Sequence, residues 1–205
     1  SETKLFSIPV NFITKFLLLF RLAIRLFRLE VYAATSDSEH YFICYLGKLY
    51  SFNLVKKELK VEMNFFKGHG PLSFANIQGI KGFKDSIYFG DYFSDGEFDC
   101  IKIYARDESG HWRVCYTFEG GLINHIHALV PDSMNNCIWI LTGDYGPSYG
   151  IYMASDDFLK VDPVLIGDQQ YRSCVAYPFN GGLLYATDSH LESNSIRLLL
   201  SLIHI

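Results

Sequence analysis

The sequence predicts an all-β chain, a partial β-propeller of four-stranded antiparallel blades behind an N-terminal amphipathic helix. Three observations predict it. From residue 31 onward the apolar runs are short and rich in Tyr, Phe and Ile, and Gly, Asn or Asp breaks them roughly every 8–12 residues, which is strand-and-turn chemistry. The 205 residues include 14 Tyr and 17 Phe, in keeping with that habit. Second, three stretches share one plan: Ile87-Tyr88-Phe89-Gly90-Asp91, Trp139-Ile140-Leu141-Thr142-Gly143-Asp144 and Leu184-Tyr185-Ala186-Thr187-Asp188. Each is an aromatic-bearing apolar strand that closes on a small residue and an aspartate, and the aspartates are 53 and 44 residues apart (144 − 91 and 188 − 144). Third, another apolar strand precedes each echo, at 72–77, 123–130 and 171–179. An inner strand, a turn and a second strand ending in Asp, repeated at this spacing, suit propeller blades. Units this few do not close a ring, so residues 31–196 are expected to form an incomplete propeller.

The elements follow in order. Residues 12–30, "FITKFLLLFRLAIRLFRLE", carry the one long helical period, with Arg21, Arg25 and Arg28 on a shared face. The longest uncharged stretch there, Phe16–Phe20, falls far short of the roughly 20 apolar residues that cross a bilayer. Three arginines also spoil it as a signal peptide. Two uses remain: a basic amphipathic helix lying on a membrane surface, or, the preferred one, a lead-in helix packing its apolar side on the following domain. "YFICYLGKLYSFN" then gives two strands around a turn at Gly47, and "KELKVEMNFF" alternates like a third. "GHGPLSF" is a Gly/Pro corner, and "CIKIYARDESGHWRVCYTF" (100–118) is a hairpin. The start at Ser1 leaves the N-terminus open. The closing Leu/Ile run, 197–205, abandons the rhythm and is set aside as a non-native tail, so the natural chain is expected to continue past Ile196.

Composition limits the function. The net charge is −4, without a basic cluster in the body of the chain, which disfavours nucleic acid as a partner. The cysteines, 44, 100, 115, 137 and 174, are odd in number and show no C-x-x-C spacing. That points to free thiols and a reducing, cytoplasmic compartment, peripheral to a membrane if the helix binds one. Cys100 and Cys115 are expected to be neighbours across their hairpin. No P-loop, G-x-G-x-x-G, G-x-S-x-G or H-E-x-x-H is present, so no organic cofactor is implied.

The segment "ARDESGHW" approximates the Asp-box, Ser-x-Asp-x-Gly-x-Thr-Trp, a hairpin corner in which the carboxylate bonds turn amides and the Trp packs beneath. Asp107 and Trp112 keep its two principal positions, whereas Ala105, Ser109 and His111 depart from it. "MASDDF" (153–158) sits at the corresponding place in the next unit. With "GPLSF", "YFGDYF", "INHIHALV", "ILTGDYG", "GDQQYRS" and "LLYATDSHLESNSI", in order from about residue 68 to 196, the chain resembles the sialidase-like (BNR/Asp-box) propeller proteins of bacteria found beside polysaccharide-biosynthesis genes. The resemblance implies a propeller with a carbohydrate context and no particular reaction. Sialidase chemistry requires three arginines, a Tyr–Glu pair and an Asp acid, of which only Arg172 is well placed.

Candidate site residues follow from the same frame. His125 and His127 are two apart on a strand and so share a face. They read as polar groups lining an axial funnel, or as two ligands of a zinc ion whose third ligand would be His69, Asp91 or Asp144. Asp91, Asp144 and Asp188 end equivalent strands and are expected on one rim, where they could bind sugar hydroxyls, hold a cation such as calcium, act as acid and base, or simply cap turns. Glu192 and Asn194 would extend that rim. Gln169, Gln170 and Arg172 open an inner strand, and the forked guanidinium suits a carboxylate or phosphate, or pairs with a rim aspartate. Arg106 and Arg113 are expected to face solvent. The function expected is carbohydrate binding or an accessory role in polysaccharide metabolism. The alternatives are a glycoside hydrolase or lyase on the same carboxylates, and a non-catalytic interaction scaffold.

Overall fold

The computed structural model describes residues 4–65, 70–92, 100–144 and 147–200. Over these residues it is all-β, with four antiparallel sheets and two short α-helices. The chain divides into two compact units, Ser1–Gly70 and Pro71–Ile205.

In the first unit the expected single helix is two helices, α1 (Phe12–Leu17) and α2 (Arg21–Leu26). Asn11 caps α1 by accepting from the Thr14 amide at 2.8 Å. The break follows from the end of α1: the Leu19 and Phe20 amides donate to the Phe16 and Leu17 carbonyls, tightening the last turn, and Phe20 then extends to φ −117°. Helices this short gain little without a packed face. Neither buries a residue, and Phe12, Leu19 and Leu22 stay more than three-quarters exposed. The expected packing of an apolar helix face is therefore not found. Arg28 lies beyond α2 at φ 48°, so the shared arginine face ends at Arg25. No helix among the described residues is long and apolar enough to cross a membrane. The sheet of this unit is a meander of β1 (Ala33–Ser36), β2 (His40–Tyr45), β3 (Lys48–Asn53) and β4 (Glu58–Asn64). Leu46 and Gly47, both at positive φ, make the two-residue turn between β2 and β3 that the sequence places there. Phe42, Cys44, Leu49 and Phe52 fill its buried positions, and Phe6 stacks on Phe52 with centroids 4.3 Å apart.

The second unit holds three meanders. The first is β5 (Ala75–Ile77), β6 (Ser86–Gly90), β7 (Ile101–Arg106) and β8 (Trp112–Phe118). The second is β9 (His125–Asp132), β10 (Cys137–Gly143), β11 (Gly150–Ser155) and β12 (Lys160–Ile166). The third is β13 (Ser173–Phe179), β14 (Gly182–Thr187) and β15 (Ile196–Leu200). The strands expected to come first in each unit are β5, β9 and β13, and it is through them that the sheets meet: β9 touches β5, β6 and β13, and β13 touches β10. The second strand β10 is covered on both faces and reads as a continuous apolar run, with every residue buried, whereas β14 leaves Leu184 exposed. Outer strands such as β12 are buried only in part.

Two buried or half-buried acids tie this unit together. Asp132 accepts from the Met134 and Asn135 amides and, at 2.9 Å, from the Trp139 indole N–H. Asp157, in the turn between β11 and β12, accepts from Tyr88 Oη and Arg113, both at 3.0 Å, while Phe158 packs against Tyr88 and Phe83. Arg113 is thus not a free solvent-facing group, because its alternate-face position on β8 brings it over the neighbouring sheet's turn. Arg106 is only half-exposed and lies against Gly110. At the hairpin between β7 and β8, Asp107 Oδ1 accepts from Ser109 Oγ (2.6 Å) and the His111 amide (2.8 Å), which hold its carboxyl below the ordinary range, and Trp112 packs on Phe89 with centroids 5.0 Å apart. Cys100 and Cys115 are not cross-strand neighbours. The register sets Ile101 opposite Phe118, and a bulge after Ile103 leaves Cys115 between pairs, its thiol donating to the Ile103 carbonyl. All five cysteines are free. Residues 197–200, set aside with the tail, belong to β15, which pairs Leu199 with Leu183 and Arg197 with Tyr185. A strand edge accepts any extended main chain, so loss of the turn rhythm does not prevent pairing. Residues 201–205 lie outside the described residues.

Candidate functional site

Asp91, Asp144 and Asp188 directly follow β6, β10 and β14, the second strands of successive sheets, as the repeat requires. Their surroundings nonetheless differ. Asp91 turns back on its own sheet: its amide donates to the Lys102 carbonyl, and its Oδ2 accepts from the Lys102 amide, both at 2.9 Å. Burial outweighs that bond and pushes its carboxyl up to about 6. Asp91 is thus bonded across to β7, outside the group of atoms around the histidines, although its carbonyl does accept from the Ile126 amide of β9 at 2.7 Å.

Asp144 lies in the middle of a cluster. The strand register sets Gly143 opposite His125, which carries the aspartate that follows to the end of β9 where both histidines emerge. His125 Nε2 is 3.5 Å from Asp144 Oδ2, and His127 Nε2 is 3.6 Å from Oδ1. The two imidazole Nε2 atoms are 2.9 Å apart. His127 Nδ1 sits 2.8 Å from the Ser173 carbonyl, which can only accept, so that nitrogen carries a proton. One proton spans the two Nε2 atoms. Burial lowers His125 to about 4, helped by His127 and Arg172 and opposed by Asp144, so His125 is uncharged at neutral pH. The facing His127 imidazole, with His125 and the Arg172 guanidinium, holds the Asp144 carboxyl far below the usual range.

Arg172 spans two of the aspartates. Its Nε donates to Asp144 Oδ1 at 2.5 Å, a terminal nitrogen reaches the same oxygen, another donates to the Asp188 carbonyl, and Asp188 Oδ2 lies 3.4 Å away. This is the aspartate-pairing alternative for Arg172, and it draws Asp188 towards the cluster. The short helical turn Gln169–Tyr171 before β13, capped by Asp168, sets the approach of Arg172. Gln170 contributes its amide to that cap, and Glu192 is exposed with its amide donating to Ser189 Oγ. Neither side chain joins the cluster among the described contacts. Asn194 accepts from the Ser189 amide and braces the same loop. His69 lies outside the described residues.

Three further members were not anticipated. The Tyr92 ring lies against His125 with centroids 4.8 Å apart. Cys174 Sγ is 3.1 Å from Asp188 Oδ2 and 3.4 Å from His127 Nδ1, and burial, then the Asp188 carboxylate, push its thiol up to about 12. The Cys174 thiol thus donates to Asp188, although the residue as a whole is exposed. Gly143 makes room: a Cβ there would come within 2.5 Å of His127 Cε1, so the ring lies directly on the main chain. Sequence signals for these existed. Gly-Asp-Tyr occurs at both 90–92 and 143–145, and Cys174 is two residues after Arg172, on the same face.

Among the described residues, His125, His127 and Asp144 form a group whose ligand-capable atoms all lie within 4.8 Å of one another. What the cluster offers is an aromatic face, two imidazoles and an ionised carboxylate tied to a guanidinium.

No protein-family model matches the chain, and no curated protein does. Among solved structures it is similar to the computationally designed Ika4 protein, at 12% identity and a TM-score of 0.53, over 84% of this chain and 91% of that one. It is also similar to an extracellular domain assigned to a hybrid two component system of B. thetaiotaomicron, at 15% identity and a TM-score of 0.56, over 86% of this chain but only 23% of that one. At these identities the likeness is one of fold alone.

Proposed function

We propose that the three sheets of the second unit are successive blades of a partial β-propeller, and that the cluster at their strand ends binds a carbohydrate in a binding or accessory role. The observation that carries this reading is the grouping of Tyr92, His125, His127, Asp144 and Arg172 at the ends of strands from adjacent sheets. A sugar presents a C–H face that lies on an aromatic ring and hydroxyls that bond to carboxylate, imidazole and guanidinium groups. The sequential meanders, two of four strands and one of three, joined through their first strands support the propeller part of the proposal.

The arrangement favours binding over glycoside cleavage. A hydrolase pair needs a raised carboxyl and an ionised one facing the same site; the raised carboxyl, Asp91, has its Oδ2 bonded to the Lys102 amide of its own sheet, while Asp144 is ionised with Oδ1 engaged by Arg172. The test is a glycan array followed by calorimetry on the full chain. Binding of a defined glycan, lost on Tyr92→Ala and on the triple alanine variant of His125, His127 and Arg172, is the expected result. Binding left intact by the triple variant in a folded protein would remove the proposal, and turnover of the bound glycan would replace it with the hydrolase reading.

A further inference from the structure

We infer that His125, His127 and Asp144 form a binding site for a divalent transition-metal ion of the zinc type, whatever else the cluster binds. All three ligands come from one pair of strands: the histidines share a face of β9, and Asp144 follows the residue of β10 that pairs with His125. The separations are 2.9 Å between the Nε2 atoms, and 3.5 and 3.6 Å from these to the carboxylate oxygens. An ion bonded at about 2.0–2.1 Å holds neighbouring ligand atoms about 3.0 Å apart at a right angle and about 3.4 Å apart at the tetrahedral angle. The two carboxylate distances are to different oxygens; with one ligand atom taken from each residue all separations lie within 4.8 Å, so closing on an ion asks the Asp144 carboxylate to swing by about an ångström.

The surroundings are those of a built site. Ligating imidazoles characteristically donate their other ring N–H to a carbonyl or carboxylate, and His127 Nδ1 does so to Ser173 at 2.8 Å. That bond leaves Nε2 as the ligand atom. Arg172 holds Asp144 Oδ1, which orients the carboxylate and leaves Oδ2 on the His125 side. Asp188 shares the guanidinium, so two carboxylates stand against one fixed positive charge and an added cation is not repelled outright. Gly143 admits the His127 ring where any side chain would displace it. Two imidazoles and one carboxylate suit zinc, nickel, cobalt or ferrous iron; calcium takes six to eight oxygens and is disfavoured. Three protein ligands leave coordination positions open to water or a ligand atom.

The test uses the chelator-stripped full chain, titrated with Zn²⁺ by calorimetry and with Co²⁺ by absorption. One equivalent of zinc should bind with micromolar or tighter affinity. His125→Asn should weaken binding by at least about tenfold and Cys100→Ala, at an exposed thiol outside the cluster, should leave it unchanged, while Ca²⁺ should not compete. Because His127 is buried, its removal also strains the fold, so the ¹⁵N imidazole spectrum of the unsubstituted chain supplies the second measurement. Zinc should shift the Nε2 resonances of two of the seven histidines. Absence of stoichiometric binding, binding unaffected by His125→Asn, or shifts confined to other histidines would overturn the inference. Glycan binding measured in chelator separates this outcome from that of the carbohydrate proposal: glycan binding without zinc binding sinks this inference alone, and zinc binding without glycan binding sinks only the other.

Discussion

Asp91 and Asp144 stand at the same place in successive sheets, each just past a second strand and each after a glycine, and they live in opposite electrostatic worlds. Asp91 is buried against its own sheet and is pushed up to about 6; Asp144 is surrounded by two imidazoles and a guanidinium and is pushed down. The glycines differ in the same way. A Cβ on Gly90 would run into Ile126, at 2.6 Å, whereas one on Gly143 would run into His127. A repeat position therefore fixes where the chain goes, and the neighbouring first strand decides whether that place is a packed corner or a polar site. β9 presents apolar Ile126 to one sheet and two histidines to the strand beside it.

The largest effects should come from the glycines. Gly90→Val and Gly143→Val should each cost about 3 kcal/mol of stability by overpacking, read by urea unfolding. Only the second should abolish zinc binding; equal loss of binding in both would erase the contrast. Next, Arg172→Met leaves Asp144 without its cation and should cost about 2 kcal/mol, discounted for the partial exposure of the pair, with Asp91→Asn changing neither Arg172 nor the histidines.

The pH dependences should run in opposite directions, measured in chelator. Asp91 has a folded-state value raised above its unfolded one, so its contribution is full below about pH 4 and is lost as pH rises to about 6. Asp91→Asn should thus gain about 1–3 kcal/mol on the wild type between those limits. Asp144 is depressed, so its contribution is present above the ordinary carboxylate range and is lost as pH falls through and below it. Asp144→Asn should be less stable than the wild type near neutrality and converge with it in acid. Parallel profiles would refute the contrast. The smallest effect belongs to Cys174→Ala, which removes one thiol contact to Asp188 and should cost under about 1 kcal/mol.

The strands were legible because their apolar runs are bounded by turn chemistry, and the echo at 87–91, 139–144 and 184–188 located the second strands and their aspartates. The helix over 12–30 was misjudged because periodicity reports a face and says nothing about whether a partner covers it. Residues 197–200 pair as part of β15 without any sequence signal for it, because edge pairing uses main-chain groups common to every residue. At the site, His125, His127, Asp144, Arg172 and Asp188 were legible from parity and repeat. The departure of Asp91 was not, since it depends on where the Lys102 amide falls in the register, a distance no local pattern encodes. Gln170 and Glu192 were placed by proximity in sequence, and loops turn side chains away within one or two residues.

The Trp139–Asp132 bond has a practical consequence. The chain has two tryptophans, Trp112 against Phe89 in one sheet and Trp139 donating to a buried carboxylate in the next. Replacing either with Phe leaves a single tryptophan, so its emission in the two variants would time the melting of adjacent sheets separately, one reporting from an aromatic cluster and the other from a buried carboxylate on the histidines' own strand.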